Sequence, residues 1–202
     1  MILSLGYWRQ TTKTWNDGQP GRKLCICRMG TILLEDLQRE IEAGSVIAII
    51  GAGVSIEATN KNPLASWTGL LEHSVDRCWD VAQPLPKGWK EHVLWEIHSG
   101  DMDSLLSAAE DVSRKLGAPG GGEYRRWLRE TVGSFSAKSG EVIKALNTLG
   151  VKLATTNYDG LLEEMTGSPP VTWMDGAKVE RVLRGAEQGI LHLHGYWGRR
   201  RL

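Results

Sequence analysis

Apolar residues first recur at helical spacing between Thr31 and Ala43, where Ile32, Leu33, Leu34, Leu37 and Ile41 mark one face and Gly44 offers a C-terminal cap. The pattern then changes period. Val46-Ile-Ala-Ile-Ile50 is a continuous, mostly β-branched run, as in a strand covered on both faces of a parallel sheet, and Gly51-Ala-Gly53 ends it. Helical patterns follow over Trp67 to Asp80, Lys90 to Ser99, Asp101 to Leu116 and Glu123 to Phe135, separated by clusters such as Pro84-Leu-Pro86 and Pro119-Gly-Gly-Gly122. In the third of these, Leu105, Ala109, Val112 and Leu116 repeat at helical spacing, with Asp101 placed to cap the start and Gly117 the end. Ser139 to Leu149 is a further capped helix.

From there the pattern alternates tightly. Val151 to Thr155 predicts a strand, Gly160 to Thr166 a helix, Pro170 to Trp173 a short strand, Ala177 to Glu187 a helix and Gly189 to Leu193 a strand. Strands alternating with helices imply crossover connections and parallel pairing. The expected fold class is α/β: a parallel Rossmann-like sheet with helices on both faces, and a helical layer, about residues 67–135, inserted between the first and second strands. Residues 1–28 show no apolar period and are expected to be a flexible leader, with Met29 a candidate for the true first residue and residues 29–202 forming one domain.

Composition narrows the setting. The 202 residues suffice for one sizeable core. Lysine plus arginine and aspartate plus glutamate number 24 each, so no global field favours nucleic acid or an anionic membrane, and neither is expected as a partner. No apolar run approaches the roughly 20 residues of a membrane helix. The start of the chain lacks the charged and apolar segments of a secretion signal, which makes the cytoplasm the expected location. Three cysteines, Cys25, Cys27 and Cys78, cannot all be paired, and they fall one short of a four-thiolate zinc site.

In parallel sheets ligands bind outside the carboxyl ends of the strands, and three polar clusters fall at such ends: Gly51-Ala-Gly-Val-Ser55, Thr155-Thr-Asn-Tyr-Asp159 and His192-Leu-His-Gly195. The glycines either make a ligand-free tight turn, the commoner meaning of an isolated GxG, or let backbone amides cradle a phosphate, with Ser55 adding a hydroxyl. Hydride transfer is disfavoured, because Ile56 stands where the dinucleotide fingerprint needs a third glycine and no second strand follows. Asn157 and Asp159 either satisfy a turn and cap a helix or hold a hydroxyl-rich ligand such as a ribose or carboxamide. His192 and His194, by alternation on one side of the strand, offer two metal ligands without a visible third. A single base at His194, with His192 as a packed or hydrogen-bonded support, fits the pattern better.

The order and spacing of the three clusters, GAGVS, TTNYD and HLHG, resemble the Sir2-like family of sirtuin-related, NAD-consuming domains over roughly Ser45 to Gly198. Ala65-Ser-Trp67 and Leu70-Leu71 resemble its bacterial branch. The resemblance implies that Gly51, Ala52, Gly53, Ser55 and Thr156 bind NAD, that Asp159 faces the nicotinamide amide, and that Asn157 and His194 are catalytic. It implies an NAD glycohydrolase releasing nicotinamide and ADP-ribose, or a cyclised product, in bacterial anti-phage defence. NAD is then substrate rather than resident cofactor, and the expected partners are a sensor domain or protein, or further copies of the chain.

Two departures qualify the implied activity. The four-cysteine zinc module and the arginine-bearing loop of the protein deacylases are missing, and Ile56-Glu-Ala-Thr-Asn-Lys-Asn-Pro63 stands in the loop's place, so no zinc and no deacylation are expected. The family also continues past the histidine with strands that hold the adenine half of NAD, whereas this chain ends at Leu202, so a truncated form with an exposed sheet edge is expected. The alternatives are a sensor that binds NAD or ADP-ribose without cleaving it and an inactive remnant of a larger protein.

Overall fold

The structure, a computed structural model, describes residues 2–4, 23–117 and 122–197. Its spine is a five-stranded, all-parallel sheet in the order β1-β2-β3-β5-β4, formed by Ile2–Ser4, Ile47–Ile50, Lys152–Thr155, Ile190–His192 and Pro170–Thr172, where β4 is Pro170–Thr172 and β5 is Ile190–His192. Pro170, which has no N–H to give to a ladder, opens the edge strand β4, the position where a proline costs least.

Nine α-helices accompany the strands among the described residues: α1 Lys23–Glu42, α2 Ala52–Ala58, α3 Trp67–Val81, α4 Trp89–His98, α5 Met102–Lys115, α6 Gly122–Glu130, α7 Glu141–Thr148, α8 Leu161–Thr166 and α9 Gly176–Leu183. Short 3-10 turns at Pro63–Ala65 and Val132–Ser134 complete the set. The side-chain alternation of β2 explains how both sheet faces are covered. Ala48 and Ile50 pack with Leu153 and Ile190 against Ala58 of α2, Ile143 and Leu146 of α7 and Leu161 and Leu162 of α8. Ile47 and Ile49 join Ala154, Val171 and Leu191 against Val179 and Val182 of α9.

A third core belongs to the helices between β2 and β3, the first two strands expected from the patterning. Leu71, Val75, Val93, Val112, Trp127 and Leu128 meet there, and Phe135 packs on both this cluster and the sheet core behind α7 and α8. Cys78 lies inside this layer, where burial pushes its thiol up to about 12 and keeps it from acting as a thiolate. The side chains of Cys25 and Cys27 fall outside the described residues.

Several expectations are corrected. Residues 51–63 hold a seven-residue helix, α2, where a turn and loop were expected. Strand β1 and the first turns of α1 fall within the expected leader 1–28; a three-residue strand is too short to show a period, and residues 5–22 lie outside the described residues. Of the apolar residues read as one helical face, Ile32, Leu33 and Leu34 are exposed, while Leu37 and Ile41 are half-buried. Helix α9 ends at Leu183 rather than near Glu187, because Gly185, at φ +74°, turns the chain out of the helix. No helix among the described residues is long and apolar enough to cross a membrane.

Candidate functional site

Sheet register brings the three polar clusters to one level. Ile50 pairs with Thr155 and Thr155 with His192 across adjacent parallel strands, so β2, β3 and β5 end side by side. The ladder is carried one step further by Thr156 N donating to Ile50 O at 3.1 Å and Leu193 N to Thr155 O at 2.9 Å. The Thr155 hydroxyl also donates to Ile50 O at 3.0 Å and accepts from Asn157 N at 3.0 Å, which fixes where the chain leaves the sheet.

Beyond the tips the side chains form a directed hydrogen-bond chain. Asn157 Nδ2 donates to Gly51 O at 3.0 Å and to Ser55 Oγ at 2.8 Å, and Ser55 Oγ donates to Asp159 Oδ2 at 2.6 Å. Asp159 Oδ1 accepts the first amide of α8 from Leu161 at 3.1 Å. The turn-and-cap expectation for Asp159 is met through Oδ1, while Oδ2 closes a polar network with Ser55. Both amide hydrogens of Asn157 are committed, which leaves Oδ1 as the acceptor it can offer a ligand.

Asp159 is buried, and its carboxyl is held above the ordinary aspartate range. Desolvation is the main cause; the Ser55 hydroxyl and Leu161 amide oppose it, and the charge of Glu163 adds to the rise.

This network forms the polar wall of a cavity of about 300 Å³, at the lower end of the roughly 300–1,000 Å³ seen for small-molecule sites. Thr156, Asn157, Asp159 and His194 line it together with Ala52 from α2. The apolar lining comes from Leu64, Ala65, Trp67 and Leu70, together with Val132 and Phe135. Tyr158 also lines the cavity: its ring is 6.4 Å from that of His194, it packs on the helical core, and its carbonyl accepts from Trp197 N at 2.7 Å. A flat, partly apolar heteroaromatic ring with a polar substituent suits such a lining.

Not every expected residue reaches the cavity. Of the glycine cluster, only Ala52 lines it; Gly51 contributes its carbonyl to Asn157, Ser55 is buried behind the wall, and Gly53 is exposed on α2. The helix explains this, since α2 turns successive residues away from the strand tip. Within the first turn of α2, Val54 N donates to Gly51 O at 3.2 Å.

The histidines separate as well. Strand β5 ends at His192, so strand alternation does not extend to His194. His194 is exposed at the cavity, whereas His192 is buried, with Nδ1 3.1 Å from Asn157 O and Nε2 2.6 Å from Glu163 Oε1. Glu163 and Tyr196 also line a larger cavity of about 660 Å³ that includes none of the expected site residues. Among the described residues no three His, Cys, Asp or Glu side chains gather as a metal site.

Sequence patterning passed over Tyr158, Val132, Phe135 and Glu163. Tyr158 is overshadowed by the polar residues of its own cluster, Val132 and Phe135 belong to a segment whose spacing predicts only a helix, and Glu163 looks like one more polar residue of a short helix. Comparison of the chain with protein-family models, with curated proteins and with solved structures finds no match.

Proposed function

We propose that this chain hydrolyses NAD to nicotinamide and ADP-ribose at the cavity over the strand tips, as a Sir2-like domain of the bacterial anti-phage type acting in the cytoplasm. The observation that carries the reading is the meeting of Asn157, Asp159 and His194, from two different strand ends, around one small, mostly apolar cavity. The order of the three motifs along the chain supports it independently.

The chemistry asks little covalent work of the protein. The C1′–N bond of NAD already carries a good leaving group, so the site must position the ribose and tolerate the positive charge that builds on it as the bond lengthens. Asp159 spends one lone pair on Ser55 and one on Leu161 and keeps others for the carboxamide N–H of nicotinamide. Asn157 Oδ1 accepts from a ribose hydroxyl or from the attacking water and aligns it with C1′. The water adds to C1′ while the C1′–N electrons leave with nicotinamide, and the proton released passes through His194 to solvent. The negative charge of Asp159 also offsets the ribosyl cation in a poorly hydrated wall.

Purified protein incubated with NAD is expected to release nicotinamide in step with ADP-ribose, measured by chromatography. Asn157→Ala or His194→Ala should cut that release by about a hundredfold or more while leaving the unfolding transition in place. Unchanged release from both variants would remove them from the mechanism. Binding of NAD with no nicotinamide formed over prolonged incubation would make the chain a sensor instead.

A further inference from the structure

We infer that Glu163 and His192 act as a buried, proton-sharing pair that positions Asn157, a role that rests on the NAD-cleaving reading above. The contacts themselves fix the proton count. A carbonyl oxygen only accepts, so His192 Nδ1, 3.1 Å from Asn157 O, must carry hydrogen. The opposite nitrogen sits 2.6 Å from Glu163 Oε1, a separation that needs one proton between them. Whether that proton is drawn on imidazole or carboxyl, the pair is neutral overall and holds two protons.

Removing the shared proton would set two lone pairs against each other and leave a buried charge unmatched. Glu163 is 8% exposed, and its second oxygen, Oε2, is buried without a hydrogen-bond partner, so compensation runs through His192. The His192 side chain is wholly buried, with the Tyr196 ring edge-on at 4.8 Å.

A pair of this kind is a poor way to stabilise a core. Desolvating two ionisable groups offsets what their attraction returns, and apolar replacements of similar volume are often neutral or better. Its placement gives the better reason. Asn157 is fixed from β3 through Thr155 Oγ1, from the β2 end through Gly51 O and Ser55, and from β5 through His192. His192 lies two residues before His194, so the pair ties the strand end carrying the imidazole to the loop carrying the amide. Misplacing either by about 1 Å costs up to a hundredfold in rate.

The test uses two substitutions at one position and a readout that does not depend on turnover. Glu163→Leu keeps bulk but leaves Nε2 bare; turnover of NAD should fall roughly tenfold to a hundredfold with KM little changed. Glu163→Gln can donate its amide to Nε2 and keep hydrogen on Nδ1, and should recover most of the turnover. Nitrogen-15 NMR of the wild-type His192 imidazole should show Nδ1 protonated and Nε2 sharing a proton; in the Glu163→Gln protein Nε2 should take the shift of a bare nitrogen.

Full turnover in Glu163→Leu, or an unprotonated Nδ1 in the wild type, would overturn the inference. Wild-type protein that releases no nicotinamide would sink the functional reading and the positioning role with it, while a protonated Nδ1 would still establish the pair.

Discussion

Asp159 carries two opposed demands: it must be ionised to accept from a carboxamide, and it is buried where ionisation is costly. Its raised carboxyl range gives the cost a direction in pH. In the unfolded chain the group titrates near about 3.9, so below that both states hold the proton and burial carries no charge penalty. As pH rises through the higher folded value, the folded state must give up its proton in a poorly solvated place, and stability is lost. Asp159→Asn is therefore expected to unfold later than the wild type at neutral pH, with the gain vanishing below about pH 4 and nicotinamide release lost. Thermal melts across pH check this, and a gain of equal size at every pH would contradict it.

Ser55 is tested in the other direction. Ser55→Ala removes the group that links Asn157 to Asp159 inside a buried wall, with an expected loss of about 1–3 kcal/mol in urea unfolding together with reduced cleavage. At this scale the sequence was informative about residue types. An amide and a carboxylate two apart at a strand end can be read from their chemistry, but the intervening hydroxyl could be read only as a phosphate donor. Its true partners lie more than a hundred positions away along the chain.

Among the elements, α2 and the 3-10 turn at Pro63–Ala65 were the least legible. GAGVS begins with residues of weak helical character, so propensity favours a turn, whereas Val54 and Ala58 find apolar neighbours on the sheet and stabilise the helix. The long β-branched runs and the capped α5 were legible because period and cap agree; Asp101 accepts from Ser104 N at 2.9 Å, as its position before the helix requires.

The 3-10 turn supplies Leu64 and Ala65 to the cavity and leans on α3 at Gly69, where a Cβ would lie 2.3 Å from Pro63 O. In an open helix, alanine would be preferred over glycine by about 1 kcal/mol. Here the clash outweighs it. Gly69→Ala is expected to destabilise by about 1–3 kcal/mol and to raise KM for NAD more than it lowers kcat, as the cavity wall shifts. Steady-state kinetics beside denaturant unfolding would check both, and an unchanged KM would show that the turn does not shape the site.

For the molecule as a whole, three apolar clusters among the described residues divide the work: two cover the faces of the parallel sheet and one builds the helical layer, and the cavity lies where that layer meets the sheet core at Phe135. The parallel sheet was legible because strands in the second half recur between short helices. The junction was not, since its apolar wall is assembled from helix residues that meet the strand tips only after the inserted layer folds back. The central claim is that segments distant in sequence converge on one nicotinamide-ribosyl site. A crystal structure of the protein with ADP-ribose decides whether they do. The terminal ribose is expected in the cavity, with a hydroxyl on Asn157 Oδ1 and His194 within hydrogen-bond reach; ADP-ribose seated elsewhere, or no binding at millimolar concentration, would rule out such a site.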